Sequence, residues 1–238
     1  MSIPGLDKWL GTAQGRYVLD WELARIDEAI ADVFGFNALQ LGMPQIDFLQ
    51  ANRIPLRQRA SESGPGDVLC DLDALPFAAH STDLVVLPHV LEFHHNPHQI
   101  LREIERILFP EGQLVILGFN PISLWGLKNR TGRSGRFPWN GSYISPPRLK
   151  DWLKLLGFEV DRNSFGCFAP PFEQAAWLRR WHFMETAGKR WSGLPGGVYM
   201  LRAIKRVHSV RLIAPPWKTT ALRNKALRPA AQKESNDR

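Results

Sequence analysis

Between residues 89 and 98 the chain carries His89, Glu92, His94, His95 and His98, side chains that can take, give or share a proton near neutral pH. His89 or Glu92 suits a general base, which a transfer onto an oxygen or nitrogen acceptor can require. The histidines also raise a metal site. Their spacing, however, straddles a strand end, a loop and a helix start, and no nearby cysteine or paired carboxylate completes a tetrahedral set, so no metal is expected. Upstream, Asp71-Leu72-Asp73 offers two carboxylates, either to a ligand or to the turn before Leu75-Pro76, and Gln40-Leu41-Gly42 ends an apolar run in a glycine. Downstream, Lys128, Arg130, Arg133 and Arg136 have no acid among them and are followed by Phe137 and Trp139. Such a set is either a solvated basic loop or an anion-binding clamp, where phosphate contacts supply affinity and aromatics stack.

Each of these groups follows an element that can position it. Residues 15–34 carry Val18, Trp21, Leu23, Ile26, Ile30 and Val33 at helical spacing. Ala38–Leu41 and Asp67–Cys70 read as short strands, with Arg53–Arg59 as a basic strand between them. Asp83–Leu87 is a continuous apolar run, as expected of a central strand buried on both faces. Asn96-Pro97 opens a helix whose inward stripe is Ile100, Leu101, Ile104, Ile107 and Leu108, and Pro110-Glu111-Gly112 stops it. Gln113–Gly118 is the next strand, and Lys128–Ser142 reads as a polar loop. A helix after Ser145 closes on Gly157, and Phe158–Val160 and Val198–Val207 supply two further strands that could pair antiparallel. Residues 1–13 read as an extended arm. Strands alternating with helices imply a mostly parallel, doubly wound sheet, whose ligands bind beyond the carboxyl ends of the strands where their order reverses. That rule selects Gln40–Gly42, Asp71–Asp73, Leu87–Glu92 and Gly118–Pro121.

The bulk numbers set the frame. A chain of 238 residues with 44% hydrophobic and 22% charged residues is long enough for one α/β domain plus tails. Two cysteines without metal-type spacing suggest neither a disulfide framework nor a zinc site. No secretory signal is read, and the most apolar stretch is too short to span a bilayer, so no membrane insertion and a cytoplasmic location are expected. From His208 onward seven basic residues face only Glu234 and Asp237, so most of the net charge of +7 lies there. The expected division is a folded domain over 1–207 and a basic, disordered tail over 208–238, either solubilising or anion-binding.

Several short passages in fixed order carry a specific resemblance: Asp71-Leu-Asp-Ala-Leu-Pro-Phe77, His80-Ser-Thr-Asp83, Val90-Leu91, Asn96-Pro97, Leu101-Arg-Glu103, Arg106-Ile-Leu108 and Gly112-Gln-Leu-Val115. This block, from about residue 67 to 121, resembles the type 11 branch of the class I S-adenosylmethionine-dependent methyltransferases. The resemblance implies a Rossmann-like, seven-stranded, mostly parallel sheet with an antiparallel C-terminal strand. It implies S-adenosylmethionine as cofactor, with Gln40 and Gly42 in its loop, Asp71 beside the adenine, Leu72 against that ring, and Pro88 and His89 facing the methyl donor.

Two departures from the family pattern stand out. Its loop runs acidic–hydrophobic–Gly-x-Gly-x-Gly, whereas here the run is Gln40-Leu-Gly-Met-Pro-Gln-Ile46. Pro44 fixes φ near −65° and removes an amide donor. The family also places an acidic residue at the end of its second strand to grip the ribose, and Arg53–Arg59 ends without one. The expected activity is methyl transfer to a small-molecule or macromolecular acceptor. The rival readings are a catalytically inactive binding protein that kept the fold and an RNA-modifying methyltransferase that uses the basic loop and tail on nucleic acid.

Overall fold

The computed structural model describes residues 5–131, 136–181, 183–185 and 196–207. The chain divides into two units, Met1–Val207 and His208–Arg238. The second, with the basic tail, lies outside the described residues.

Seven strands form one sheet: β1 (Asn37–Leu41), β2 (Leu56–Ser61), β3 (Val68–Leu69), β4 (Thr82–Pro88), β5 (Leu108–Phe119), β6 (Phe158–Gly166) and β7 (Val198–Lys205). Their order is β3-β2-β1-β4-β5-β7-β6. β1 to β5 pair in parallel, and β7 runs antiparallel to both β5 and β6. The order therefore reverses between β1 and β4, and the segments leaving those two strands diverge there.

The apolar run 84–87 is central because its side chains alternate between two cores. Leu84 and Val86 join Ala38, Val115, Leu117 and Met200 under helix α2 (Ala13–Ile30), which contributes Val18, Ile26, Ala29 and Ile30. Val85 and Leu87 join Leu39, Leu41, Leu114, Ile116 and Leu201 on the other face. There α3 (Pro97–Ile107) inserts the stripe Ile100, Leu101, Ile104 and Ile107, and α5 (Pro146–Leu155) inserts Leu149 and Leu153. Pro97 stands at the start of α3 as its fixed φ favours, although the Asn96 side chain makes no capping bond. Gly157, at φ 80°, follows α5 in the left-handed conformation that closes helices.

Four sequence expectations are corrected. Residues 6–10 are helix α1 (Leu6–Leu10), whose Leu6 and Trp9 are buried, rather than extended arm. The segment after Lys128 is not all loop, since α4 (Leu124–Thr131) holds Lys128 and Arg130. Ser123 Oγ accepts from Gly126 N at 3.1 Å to start α4, and eight residues are too few to display a helical period. β5 begins at Leu108, because the strand bulges through 109–112 and Thr82 still pairs with Leu108. β2 runs to Ser61 instead of ending at Arg59. A sixth helix, α6 (Ala175–Arg180), lies between β6 and β7.

Candidate active site

At the tip of β1 the backbone turns left-handed twice, at Gly42 (φ 82°) and Met43 (φ 45°). Gly42 N donates to Ala60 O at 2.8 Å, which holds the turn against β2. Gln40, fully buried, ties the loop shut. Its Nε2 lies 3.1, 3.0 and 2.8 Å from the carbonyls of Gly42, Met43 and Ile46, and its Oε1 accepts from Phe48 N at 3.0 Å. A carboxylate has no N–H to offer three carbonyls, so the glutamine in place of the family acid follows from the loop it must hold. Pro44 fits the same loop, with its carbonyl accepting from Arg59 Nη1 at 3.1 Å. A Cβ on Gly42 would stand 2.4 Å from Val90 Cγ2. Gly42→Ala is expected to destabilise by about 1–3 kcal/mol, and Val90→Ala should restore part of that, read as thermal midpoints of the single and double variants.

β2 and β3 bring carboxylates to the same edge. Leu41 pairs with Ala60, so the two parallel strands end together and Glu62 follows directly on β2. Sequence reasoning missed Glu62 because Leu56–Ser61 has four polar residues and no apolar alternation. The length of β1, transferred through the pairing, would have found it. Glu62 Oε1 meets His94 Nε2 at 3.2 Å. Beyond β3, Asp71 is exposed, with its Oδ1 accepting from Asp73 N at 2.9 Å, and Leu72 is buried. Asp73 lies 3.8 Å from His94 Nδ1 and 3.2 Å from His95 Nε2, so the histidines acquire a carboxylate neighbour that their own spacing did not show. Its buried Oδ1 has no hydrogen-bond partner among the described residues.

At the tip of β4, Pro88 ends the strand and His89 takes φ 50°. His89 is buried between two carboxylates, with Nε2 2.5 Å from Glu22 Oε1 and Nδ1 2.9 Å from Glu92 Oε2. Glu92 Oε1 also accepts from Phe119 N, which fastens the end of β5 to the segment after β4. Burial alone would lower the imidazole pKa. Glu22 and Glu92 outweigh it, and the group is pushed up to about 10. Burial raises Glu92 in turn, against the pull of His89. With both nitrogens engaged by carboxylates, His89 has no lone pair free for an acceptor's proton in this arrangement. Glu22 was also missed, although an acid between Val18 and Ile26 at four-residue spacing marks a charge on the buried face of a helix.

The basic group is dispersed. Lys128 Nζ donates to the Pro171 carbonyl at 3.1 Å and lies 4.7 Å over the Trp139 ring. Arg130 makes no hydrogen bond or ion pair among the described residues, and Arg136 is exposed. Arg133 lies outside the described residues. No helix among the described residues is long and apolar enough to cross a membrane.

Sheet order, the antiparallel seventh strand and the tips at the switch point define the class I methyltransferase fold. The model of the type 11 branch of that class, described as a methyltransferase domain, matches residues 44–116. Among curated proteins, YafS of Escherichia coli (strain K12) is 37% identical over 131 residues, 54% of this chain and 55% of its own length. The demethylmenaquinone methyltransferase of Chlamydia pneumoniae is 30% identical over 82 residues, 34% of this chain and 36% of its own. The matched part of the chain thus spans about half the length of one curated relative and about a third of the other. Among solved structures, a Thermotoga maritima S-adenosylmethionine-dependent methyltransferase, described as a possible histamine N-methyltransferase, superposes with TM-score 0.62 at 17% identity. The match covers 84% of this chain and 94% of that one.

Proposed function

We propose that the chain is an S-adenosylmethionine-dependent methyltransferase that holds its cofactor between the tips of β1, β2, β3 and β4. The observation that carries this reading is the convergence of Glu62 and the Asp71–Asp73 turn on His94, in the segment that leaves β4 where the strand order reverses. The residues present fit the group: carboxylates can accept from the ribose hydroxyls and the adenine amine, and the unpartnered Asp73 Oδ1 adds an acceptor. In this reading Glu62 holds the ribose, Asp71 the adenine, and Leu72 its face. Gln40 acts through the loop it ties instead of touching the ligand, and Gly42 supplies the turn. When bound, S-adenosylmethionine supplies a methyl group on a positively charged sulfur, and transfer to an O–H or N–H acceptor releases a proton. His89 and Glu92 position the segment beyond Pro88 and do not remove that proton. Rate then comes from alignment of donor and acceptor. We further assign the activity to residues 1–207, working in the cytoplasm, with 208–238 as an accessory basic tail.

Titration of the full chain with S-adenosylhomocysteine in a calorimeter is expected to give one saturable site with micromolar dissociation constant. No heat at millimolar ligand overturns the enzyme reading. One observation favours the rival, a binding protein that kept the fold: the Gln40 amide and the Gly42 amide are both engaged within the protein, leaving fewer donors for a ligand than a glycine-rich loop presents. That same titration separates the two.

A further inference from the structure

Beyond the ends of β5 and β6, and before β7 begins, lies a cavity of about 360 Å³. Its walls are Ile122, Leu124, Trp125, Leu127, Phe168 and Met184, with Ser123, Cys167 and Arg130 as the polar or ionisable side chains. Two of those polar groups, and the indole N–H of the Trp125 wall, are already engaged or neutral. Ser123 Oγ donates to Asn120 O at 2.6 Å and accepts from Gly126 N, and Trp125 Nε1 donates to Ala169 O at 2.9 Å. The Cys167 thiol is buried, which raises its pKa well above the usual thiol value and keeps it uncharged. Arg130 remains, exposed and without a partner among the described residues.

The rim is unusual in the opposite sense. Ile122 is 63% exposed and Leu127 58%, beside a half-exposed Leu124. Single exposed aliphatics need no explanation, but three converging on one apolar cavity mark a binding surface. The volume suits a small molecule. One free guanidinium beside apolar walls suits a single anionic group, which an arginine grips with paired hydrogen bonds. A polyanion needs several free cations, and Lys128 is already taken.

The cavity lies close to the candidate active site. Trp125 stacks on Phe119 with ring centroids 6.1 Å apart, and Phe119 packs tilted by 30° against His89 at 4.3 Å. Two rings therefore separate the cavity from the tip of β4. We propose that this cavity takes the apolar body of an anionic amphiphile, with Arg130 on its carboxylate, sulfonate or phosphate. Resting on the methyltransferase reading above, it assigns the acceptor to that class.

The test uses the full chain and 1-anilinonaphthalene-8-sulfonate, an apolar bicycle with one sulfonate, followed by its fluorescence. One saturable site is expected. Arg130→Glu and Leu127→Trp, both at exposed positions, should each weaken it about tenfold or more, the first by removing the charge partner and the second by filling the cavity. Affinity for S-adenosylhomocysteine should stay within about twofold, since neither residue lies at the β1–β4 tips. Probe binding that survives both substitutions overturns the proposal, as does no saturable site on folded protein. Binding only to phosphatidylglycerol vesicles, with none to the monomeric probe, also overturns it in favour of a membrane surface. Loss of S-adenosylhomocysteine binding with the probe site intact would instead remove the enzyme reading and leave the cavity assignment standing.

Discussion

Glu62→Ala is expected to weaken S-adenosylhomocysteine binding by about 10- to 100-fold while leaving the thermal midpoint within a few degrees of the parent. The range follows from the roughly 1.5–3 kcal/mol carried by hydrogen bonds to a charged group. The carboxylate stands at the end of β2, next to the β1 turn, and its contact with His94 is partly exposed, so little of the core depends on it. Glu62→Gln should fall between the two, because the amide keeps one acceptor and loses the charge. His94→Ala separates a ligand role from a structural one. If Glu62 only anchors His94, both substitutions will lower stability together and neither will change affinity. Calorimetric titration of the three variants, with melting curves alongside, decides it.

His89→Ala is expected to cost about 3–5 kcal/mol, the range for removing one partner from a buried charge cluster. For a chain of this size that lowers the thermal midpoint by roughly 10 °C. The deletion leaves Glu22 and Glu92 buried near one another with no cation between them. Glu22→Gln in the same chain should recover part of the loss by removing one of those charges. The parent carries a matching pH dependence. A histidine raised from 6.5 to about 10 in the folded state contributes stability that is fully present below pH 6.5. That contribution fades as pH rises and is gone once pH passes about 10. Burial also lifts Tyr143, Tyr199 and Cys167, whose unfolded-state ionisation near pH 9 to 10 adds a fall of the same sign, so the imidazole is read below that range, between pH 6 and 8. Melting curves from pH 6 to 8 should show a fall in the parent that is largely absent in His89→Ala. Equal slopes in the two proteins would mean that the imidazole is not held charged.

Much of the architecture is legible in the residues. The apolar run 84–87, the stripe of α3 and the Pro97 start and Gly157 stop fix the central strand and its flanking helices through short-range chemistry alone. The misread segments share a different property. β2 is polar along its length and is a strand because β1 and β3 hydrogen-bond to it. β5 continues past Pro110 and Gly112 because its ladder with β4 resumes beyond the bulge. α4 and α1 are each too short for periodicity to emerge.

The site divides along the same line. Residue identities in order determined that Gly42, Asp71 and His89 each follow a strand, since a strand and the residue that ends it are neighbours in the chain. They could not determine that Glu62 stands beside Gly42, that Asp73 approaches His94, or that Glu22, 67 residues away, holds His89 between two carboxylates. Those pairings depend on strand register and on how α2 lies across the sheet. Hydrogen bonding between strands and close packing of side chains set both, and neither is a property of any segment taken by itself.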